Sequence, residues 1–154
     1  MAEQLPEVPS IKMDTLTSEQ RSKRMALVKN KNTKPELRVR HLVHALGFRY
    51  RLHVQELPGK PDLVFPSKHK VILIHGCFWH RHRGCSRTRL PKSRLEFWRP
   101  KLLENARRDR EKIKELRSLG FGVLIVWECE TEKPEMLQDI LLGFLGESRS
   151  KKAR

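Results

Sequence analysis

Two stretches limit the folds open to this chain more than anything else in it. KVILIHG (residues 70–76) and FGVLIVW (residues 121–127) are near-continuous apolar runs, without the alternation of a strand that has one wet face. Runs of this kind predict buried strands, covered on both sides. The segments around them supply the cover. Thr33 and Glu36 form a capping signal for a helix carrying Leu37, His41, Leu42, Ala45 and Leu46, which Gly47 stops. Thr17 and Gln20 give the same signal for a basic helix to about Asn30, whose surface reads RSKR. Phe48, Tyr50, Leu52 and Val54 alternate with Arg49, Arg51 and His53, the period of a strand. PGKPD is a turn, DLVF a short strand, and PSKHK a tight connection into the first apolar run. Ser93 and Glu96 offer a further cap. From about Pro100 to Leu119 a helix is expected with Leu102, Leu103, Ala106, Ile113 and Leu116 on one side, ended by Gly120. A last helix begins near Pro134 and shows Met136, Leu137, Ile140, Leu141 and Phe144. Strands separated by helices give an α/β fold, a mixed central sheet flanked by helices. Residues 1–16 read as a flexible arm, 17–146 as one domain, and the basic 147–154 as a disordered tail.

Lys and Arg number 33 against 18 Asp and Glu, a formal net charge of +15. That surplus favours a polyanionic partner, nucleic acid ahead of an acidic membrane. No segment approaches the roughly 20 apolar residues that span a bilayer. The opening MAEQLPEVPS lacks a basic-then-apolar leader pattern. The expectation is a cytoplasmic protein, with Arg21, Lys23 and Arg24 of the first helix set against a phosphate backbone.

The chain has three cysteines, Cys77, Cys85 and Cys129. An odd number in a reducing compartment argues against a disulfide framework and leaves a metal open. Cys77, His82 and Cys85 follow C-x4-H-x2-C, and Cys129 comes just after FGVLIVW. If that run lies beside KVILI, the two strand ends bring Cys129 next to Cys77. Three thiolates and one imidazole make a closed tetrahedral site for structural Zn2+. Spacing alone leaves His80 as the alternative to His82. Phe78 and Trp79 sit between these ligands, where a clamped loop would hold them rigid. Such a wedge, with Trp98 added, can unstack base pairs at about a few kcal/mol per step. Packing in the core is the other use for the same rings.

Asp62 follows Pro61 at the start of a short strand, and the next strand ends at His75. This resembles the PD-(D/E)xK nucleases, in which the aspartate and a second carboxylate hold a divalent cation. Here the acid-x-lysine positions read Leu73, Ile74 and His75, so the second acid and the lysine are both missing.

The longer pattern is more specific. RSKRMALVKNKNTKPELRVRHLVHALGFRYRLH, LPGKPDLVF, HGCFWHRH, EFW and GFGVLIVWEC follow one another in that order. Over nearly all of residues 18–130 the chain closely resembles the very short patch repair (Vsr) endonucleases. The resemblance implies a restriction-endonuclease-like fold, catalytic Mg2+ and structural Zn2+. It implies an enzyme that nicks one DNA strand 5′ of a thymine mispaired with guanine, the lesion left by deaminated 5-methylcytosine. The products would be a 5′-phosphate and a 3′-hydroxyl. Asp62 is then the metal-binding catalytic aspartate, and Ile74, where the family's best-known pattern has threonine, gives the metal its backbone carbonyl. His75 and Glu36 order the metal's water shell, and His80 activates the attacking water or assists at the phosphate. Cys77, His82, Cys85 and Cys129 match the zinc ligands, although the family pattern has one residue fewer between the last two of the loop. Phe78, Trp79 and Trp98 match the intercalating aromatics. Read without the resemblance, Glu36 has a sufficient structural task in its capping box, and His75 and His80 are a strand-end and a loop histidine.

A monomeric mismatch nickase is therefore expected, with T:G-containing duplex DNA as substrate and mismatch-repair proteins as possible partners. Two other functions fit the same residues: a nuclease of this fold that cuts matched or loosely specified DNA, and a non-catalytic zinc-stabilised DNA-binding module.

Overall fold

The two apolar runs lie side by side in a computed structural model that describes residues 17–20, 23 and 31–146. They form β3 (Lys70–His75) and β4 (Gly122–Trp127) of a four-stranded sheet. The others are β1 (Arg51–Leu52) and β2 (Leu63–Phe65), in the order β1-β2-β3-β4. β1 with β2 and β2 with β3 run antiparallel, and β3 with β4 parallel. The sheet is thus mixed, as the sequence predicts. Among the described residues, three helices cover it: α1 (Lys34–Ala45), α2 (Leu95–Ser118) and α3 (Pro134–Leu145). Among the described residues no helix is long and apolar enough to cross a membrane.

Each face of the sheet has its own core. Leu63, Phe65, Ile72 and Val126 meet Val39 and Val43 of α1 and Leu137, Leu141 and Leu145 of α3. On the other face, Val64, Val71 and Leu73 meet Leu116 of α2, with Ile113, Val123 and Ile125 packed around them. This double cover explains why β3 reads as unbroken apolar sequence. Leu141 is fully buried and Leu103 is 69% exposed, although the sequence puts both on buried faces. Leu141→Ala is expected to lower unfolding stability by about 2–5 kcal/mol, and Leu103→Ala by less than about 0.5. Chemical denaturation midpoints measure both.

Several sequence expectations change here. The buried stripe of α1 is Glu36, Val39, Arg40 and Val43, not Leu37, His41 and Ala45, which are exposed. A stripe with two charged members escapes a hydrophobic-periodicity reading. It is tolerated because Arg40 Nη2 donates to Glu36 Oε2 at 2.8 Å. β1 is only two residues long, and Leu52 is exposed. At His53 the backbone turns left-handed (φ 46), which breaks the alternation and carries His53 rather than Leu52 inward. α2 starts at Leu95, and its N-cap, Arg94, makes no side-chain capping bond, so Ser93 and Glu96 do not form the expected box. Pro100 falls inside α2. Its missing N–H leaves the Glu96 carbonyl without a helical donor, on an exposed turn where water can serve. Met136 of α3 is exposed.

Before residue 31, Thr17 and Gln20 form the expected capping box, with reciprocal bonds of 3.0 and 3.2 Å. Lys23 is exposed and pairs with Glu19 at 3.2 Å. Arg21 and Arg24, the arm 1–16 and the tail 147–154 lie outside the described residues.

Candidate active site and metal centre

The β3–β4 register builds the first cluster. His75 is opposite Trp127, so chains leaving the two strands in parallel place Cys77 and Cys129 equally far beyond the sheet. The loop then turns back on itself. His80 N donates to Gly76 O (3.1 Å), His82 N to Cys77 O (3.0 Å) and Cys85 N to His82 O (3.3 Å). Left-handed backbone at Arg81 and Gly84 makes these reversals possible. As a result His82 Nδ1 lies 3.6 Å from Cys77 Sγ and 3.5 Å from Cys129 Sγ. The ligand atoms of Cys77, His82, Cys85 and Cys129 all fall within 4.8 Å of one another. His80 points elsewhere, so His82 is the imidazole that joins the sulfurs. Its ring stacks on Trp127 at 4.2 Å. Burial above all, with the neighbouring sulfurs, pushes the Cys77 thiol up to about 12. Without a cation the Cys77 thiol stays protonated, and a bound dication reverses that preference. Arg87 bonds Glu132, with one contact at 3.0 Å, and ties the loop to the turn after β4. It is therefore engaged in an ion pair.

The second cluster lies at the same end of the sheet. Ile74 N donates to Asp62 Oδ2 at 2.7 Å, so the first residue of DLVF is locked to the end of β3. Burial raises Asp62 from its ordinary 3.8 to about 6; the Ile74 amide, Arg40 and His80 oppose the rise and Glu36 adds to it. Glu36 and Arg40 of α1 and His80 are thus all within electrostatic range of the Asp62 carboxyl. His75 and His80 stack with centroids 3.9 Å apart and rings 11° from parallel. Burial, then the neighbouring His80, lowers His75 to about 4, so its ring is neutral at physiological pH. His80 Nδ1 lies 2.6 Å from Asp109 Oδ2. Burial works to raise Asp109, but its bond to His80 and the nearby positive groups hold it below the usual carboxylate range. Ile74 is half-buried and packs with the α1–α3 core, so its side chain faces away from His75.

Asp109 was missed in the sequence. A signal was present: Leu102, Ala106, Asp109, Ile113 and Leu116 follow helical spacing, with an acid in the middle of the apolar stripe. Glu36 departs from its expected capping role. Thr33 Oγ1 accepts from Glu36 N at 3.4 Å, but the carboxylate bonds Asn32 N at 3.0 Å and Arg40 rather than the Thr33 amide.

Phe78, Trp79 and Trp98 belong to neither core. They form a half-buried group with centroids 5.1–5.8 Å apart, Phe78 edge-to-face with both indoles and the two indoles tilted. Phe97, also missed in the sequence reading, adds an outer ring 5.2 Å from Trp98 and 43% exposed. Lys101 Nζ stands 5.3–6.0 Å from the Phe97, Trp79 and Trp98 centroids, and Arg81 stands over Phe78 at 6.0 Å. Aromatic faces edged by cations suit stacked bases and phosphates together.

A half-buried carboxylate, two imidazoles and a further acid beside a cation-edged aromatic surface are the equipment of an enzyme that hydrolyses nucleic-acid phosphodiesters. Comparison with known proteins narrows the class. Residues 13–87 match the family model "DNA mismatch endonuclease Vsr". The chain is 47% identical, over 88% of its length and 98% of the relative's, to the type II nicking enzyme V.XorIIP of Xanthomonas oryzae pv. oryzae. It is 42% identical to the DNA mismatch endonuclease Vsr of Escherichia coli, covering 77% of this chain and 76% of that one. The type II nicking enzyme V.NmeAIP of Neisseria meningitidis is 40% identical over 83% and 91%. The chain belongs to the Vsr family and is a DNA endonuclease.

Proposed function

We propose that this endonuclease nicks duplex DNA 5′ of a thymine mispaired with guanine, using Mg2+, and leaves a 5′-phosphate and a 3′-hydroxyl. The observation that carries the hydrolytic reading is the gathering of Asp62, His75, His80 and Asp109 at one end of the sheet. Asp62 and the backbone carbonyl of Ile74 suit a hard cation that takes a carboxylate or two and keeps several waters. Bound there, Mg2+ would supply charge stabilisation at the scissile phosphate and a more acidic water. Isoleucine in place of the family's threonine leaves the carbonyl unchanged, because its side chain faces the α1–α3 core.

The rest is the work of side chains. Glu36, with one carboxylate oxygen engaged by Arg40 and Asn32, would accept from waters bound to such a cation. Neutral His75 forms the floor under His80 and keeps that ring's plane fixed. Asp109 holds His80 Nδ1, which fixes the tautomer and leaves Nε2 to exchange a proton with the attacking water or with the phosphate. Cys77, His82, Cys85 and Cys129 hold a structural Zn2+, a closed donor set with no position for substrate. Phe78, Trp79 and Trp98 enter the base stack beside the mismatch, which distorts at lower cost than a matched pair. We read residues 17–146 as one restriction-endonuclease-like domain acting as a monomer in the cytoplasm, with the first helix on the phosphate backbone.

The test is nicking of one duplex carrying either T:G or T:A at the same position, with Mg2+ present. Strong preference for T:G is expected. Equal rates would leave a nuclease of relaxed specificity, and no cleavage of any mismatched duplex would leave a binding module. Trp79→Ala should reduce the T:G preference by roughly tenfold or more, the scale of one lost base–aromatic stack. Nonspecific binding, set by phosphate contacts, should change little. Equal loss of both would make Trp79 a packing residue.

A further inference from the structure

Among the described residues, Arg40 is the one buried charged side chain to which the hydrolytic reading gives no part. It lies one turn after Glu36 on α1 and is 7% exposed. Its Nη2 donates to Glu36 Oε2 at 2.8 Å and lies 3.0 Å from His53 Nε2. Its Nη1 donates to Asn32 Oδ1, also at 2.8 Å. Asn32 N donates to the same Glu36 Oε2 at 3.0 Å, and His53 Nε2 lies 3.6 Å from it. Three groups therefore converge on a single oxygen. Among the described residues, no hydrogen bond engages Glu36 Oε1.

This arrangement is poor as a stabilising device. Asn32 (φ 54) and His53 (φ 46) both stand in left-handed backbone, which non-glycine residues adopt with strain. Among the described residues, Arg40 Nε is buried without a hydrogen-bond partner, and an unmet buried donor destabilises the fold. Buried ion pairs are generally no better for stability than apolar packing of similar volume. What the network does achieve is a carboxylate fixed by one oxygen, with Glu36 and Arg40 both within electrostatic range of Asp62.

We propose that Arg40 is a positioning residue of the hydrolytic site. With Asn32 and His53 it clamps Oε2 of Glu36, so that the other oxygen is presented toward Asp62 and the hydrated cation there. The inference rests on the reading of Glu36 as a water-shell residue. Arg40 bonds Glu36 and Asn32 rather than Asp62, and its main route to the site is through Glu36.

The experiment is a double-mutant cycle in the full chain. Glu36→Gln, Arg40→Gln and the double variant are compared by single-turnover nicking of a T:G duplex against Mg2+ concentration. Each single change should slow nicking about 10- to 100-fold and raise the half-saturating Mg2+ concentration, the size expected for outer-shell partners of a metal site. The double variant should be no worse than Glu36→Gln, because the two changes remove one function. Arg40→Lys, which keeps the charge without the forked geometry, should recover part of the Mg2+ dependence. Multiplicative losses in the double variant would overturn the proposal and leave the role of Glu36 intact. Unchanged rates and Mg2+ dependence in Glu36→Gln would overturn that role and this inference with it. Arg40→Gln that melts earlier but keeps wild-type Mg2+ half-saturation would make Arg40 merely structural. If Arg40→Gln does not fold, Arg40→Lys with Glu36→Gln/Arg40→Lys completes the same cycle.

Discussion

Asp62→Asn will abolish nicking, by about a thousandfold or more, while T:G duplex is still bound. The size follows from what would be removed: the carboxylate locked beside Ile74, which the proposed function assigns to the catalytic cation. The substitution keeps the fold, because the amide oxygen of asparagine can still accept from Ile74 N. It also has a thermodynamic signature. The Asp62 carboxyl is raised from 3.8 to about 6, chiefly by burial. The folded chain thus holds a proton that the unfolded chain releases. The associated stability is complete below about pH 4 and is lost progressively as pH rises to about 6. Asparagine carries no such loss. In Mg2+-free buffer above pH 6 the variant should therefore be the more stable protein, by on the order of 2 kcal/mol. The difference should shrink between pH 6 and 4 and vanish below. Added Mg2+ should stabilise the wild type and not the variant. Nicking within tenfold of wild type would end the assignment of Asp62 to the chemistry.

The parts of this site that could be read in advance are those where sequence position and spatial position coincide. Two apolar runs predict neighbouring strands, and equal offsets beyond them, Cys77 after His75 and Cys129 after Trp127, become neighbours through parallel register. The loop residues Phe78, Trp79, His80 and His82 are close in sequence to a ligand and remain close in space. What escaped reading lies on helices. Asp109 and the Glu36–Arg40 pair occupy positions on buried stripes that periodicity assigns to apolar side chains. A charged residue breaks the hydrophobic pattern, so the stripe is drawn through its neighbours, Leu103 on α2 or Leu37 on α1, which are exposed. The same holds for His53, whose inward position depends on a single left-handed residue that no alternation rule encodes. In each case the misplaced stripe marks a polar group that the fold buries for contact with another: Asp109 with His80, Arg40 with Glu36, His53 with both.

Cys129→Ser should have the largest effect on the fold. Cys129 is the one member of the sulfur–imidazole cluster that does not come from the loop itself, so it joins the loop to the end of β4. Serine is nearly isosteric, and Cys129 is only half-buried, so packing alone predicts a small change. Metal binding predicts a large one. A neutral hydroxyl does not replace a thiolate on Zn2+, and structural zinc contributes about 10–16 kcal/mol of apparent binding free energy in small zinc domains. Even a modest share of that corresponds to a fall of roughly 10 °C or more in Tm for a chain of this size. Zinc content should drop from about one per chain, and chelation should destabilise the wild type toward the variant while leaving the variant unchanged. Function should fall with it, because the loop between the ligands carries Phe78, Trp79 and His80. Loss of the clamp should weaken T:G preference and slow cleavage together, whereas Asp62→Asn removes cleavage alone. A Cys129→Ser protein that keeps stoichiometric zinc and wild-type Tm would exclude this cluster as the metal centre. The aromatic wedge would then need another source of rigidity, with Arg87–Glu132 as the remaining tie between the loop and the turn after β4.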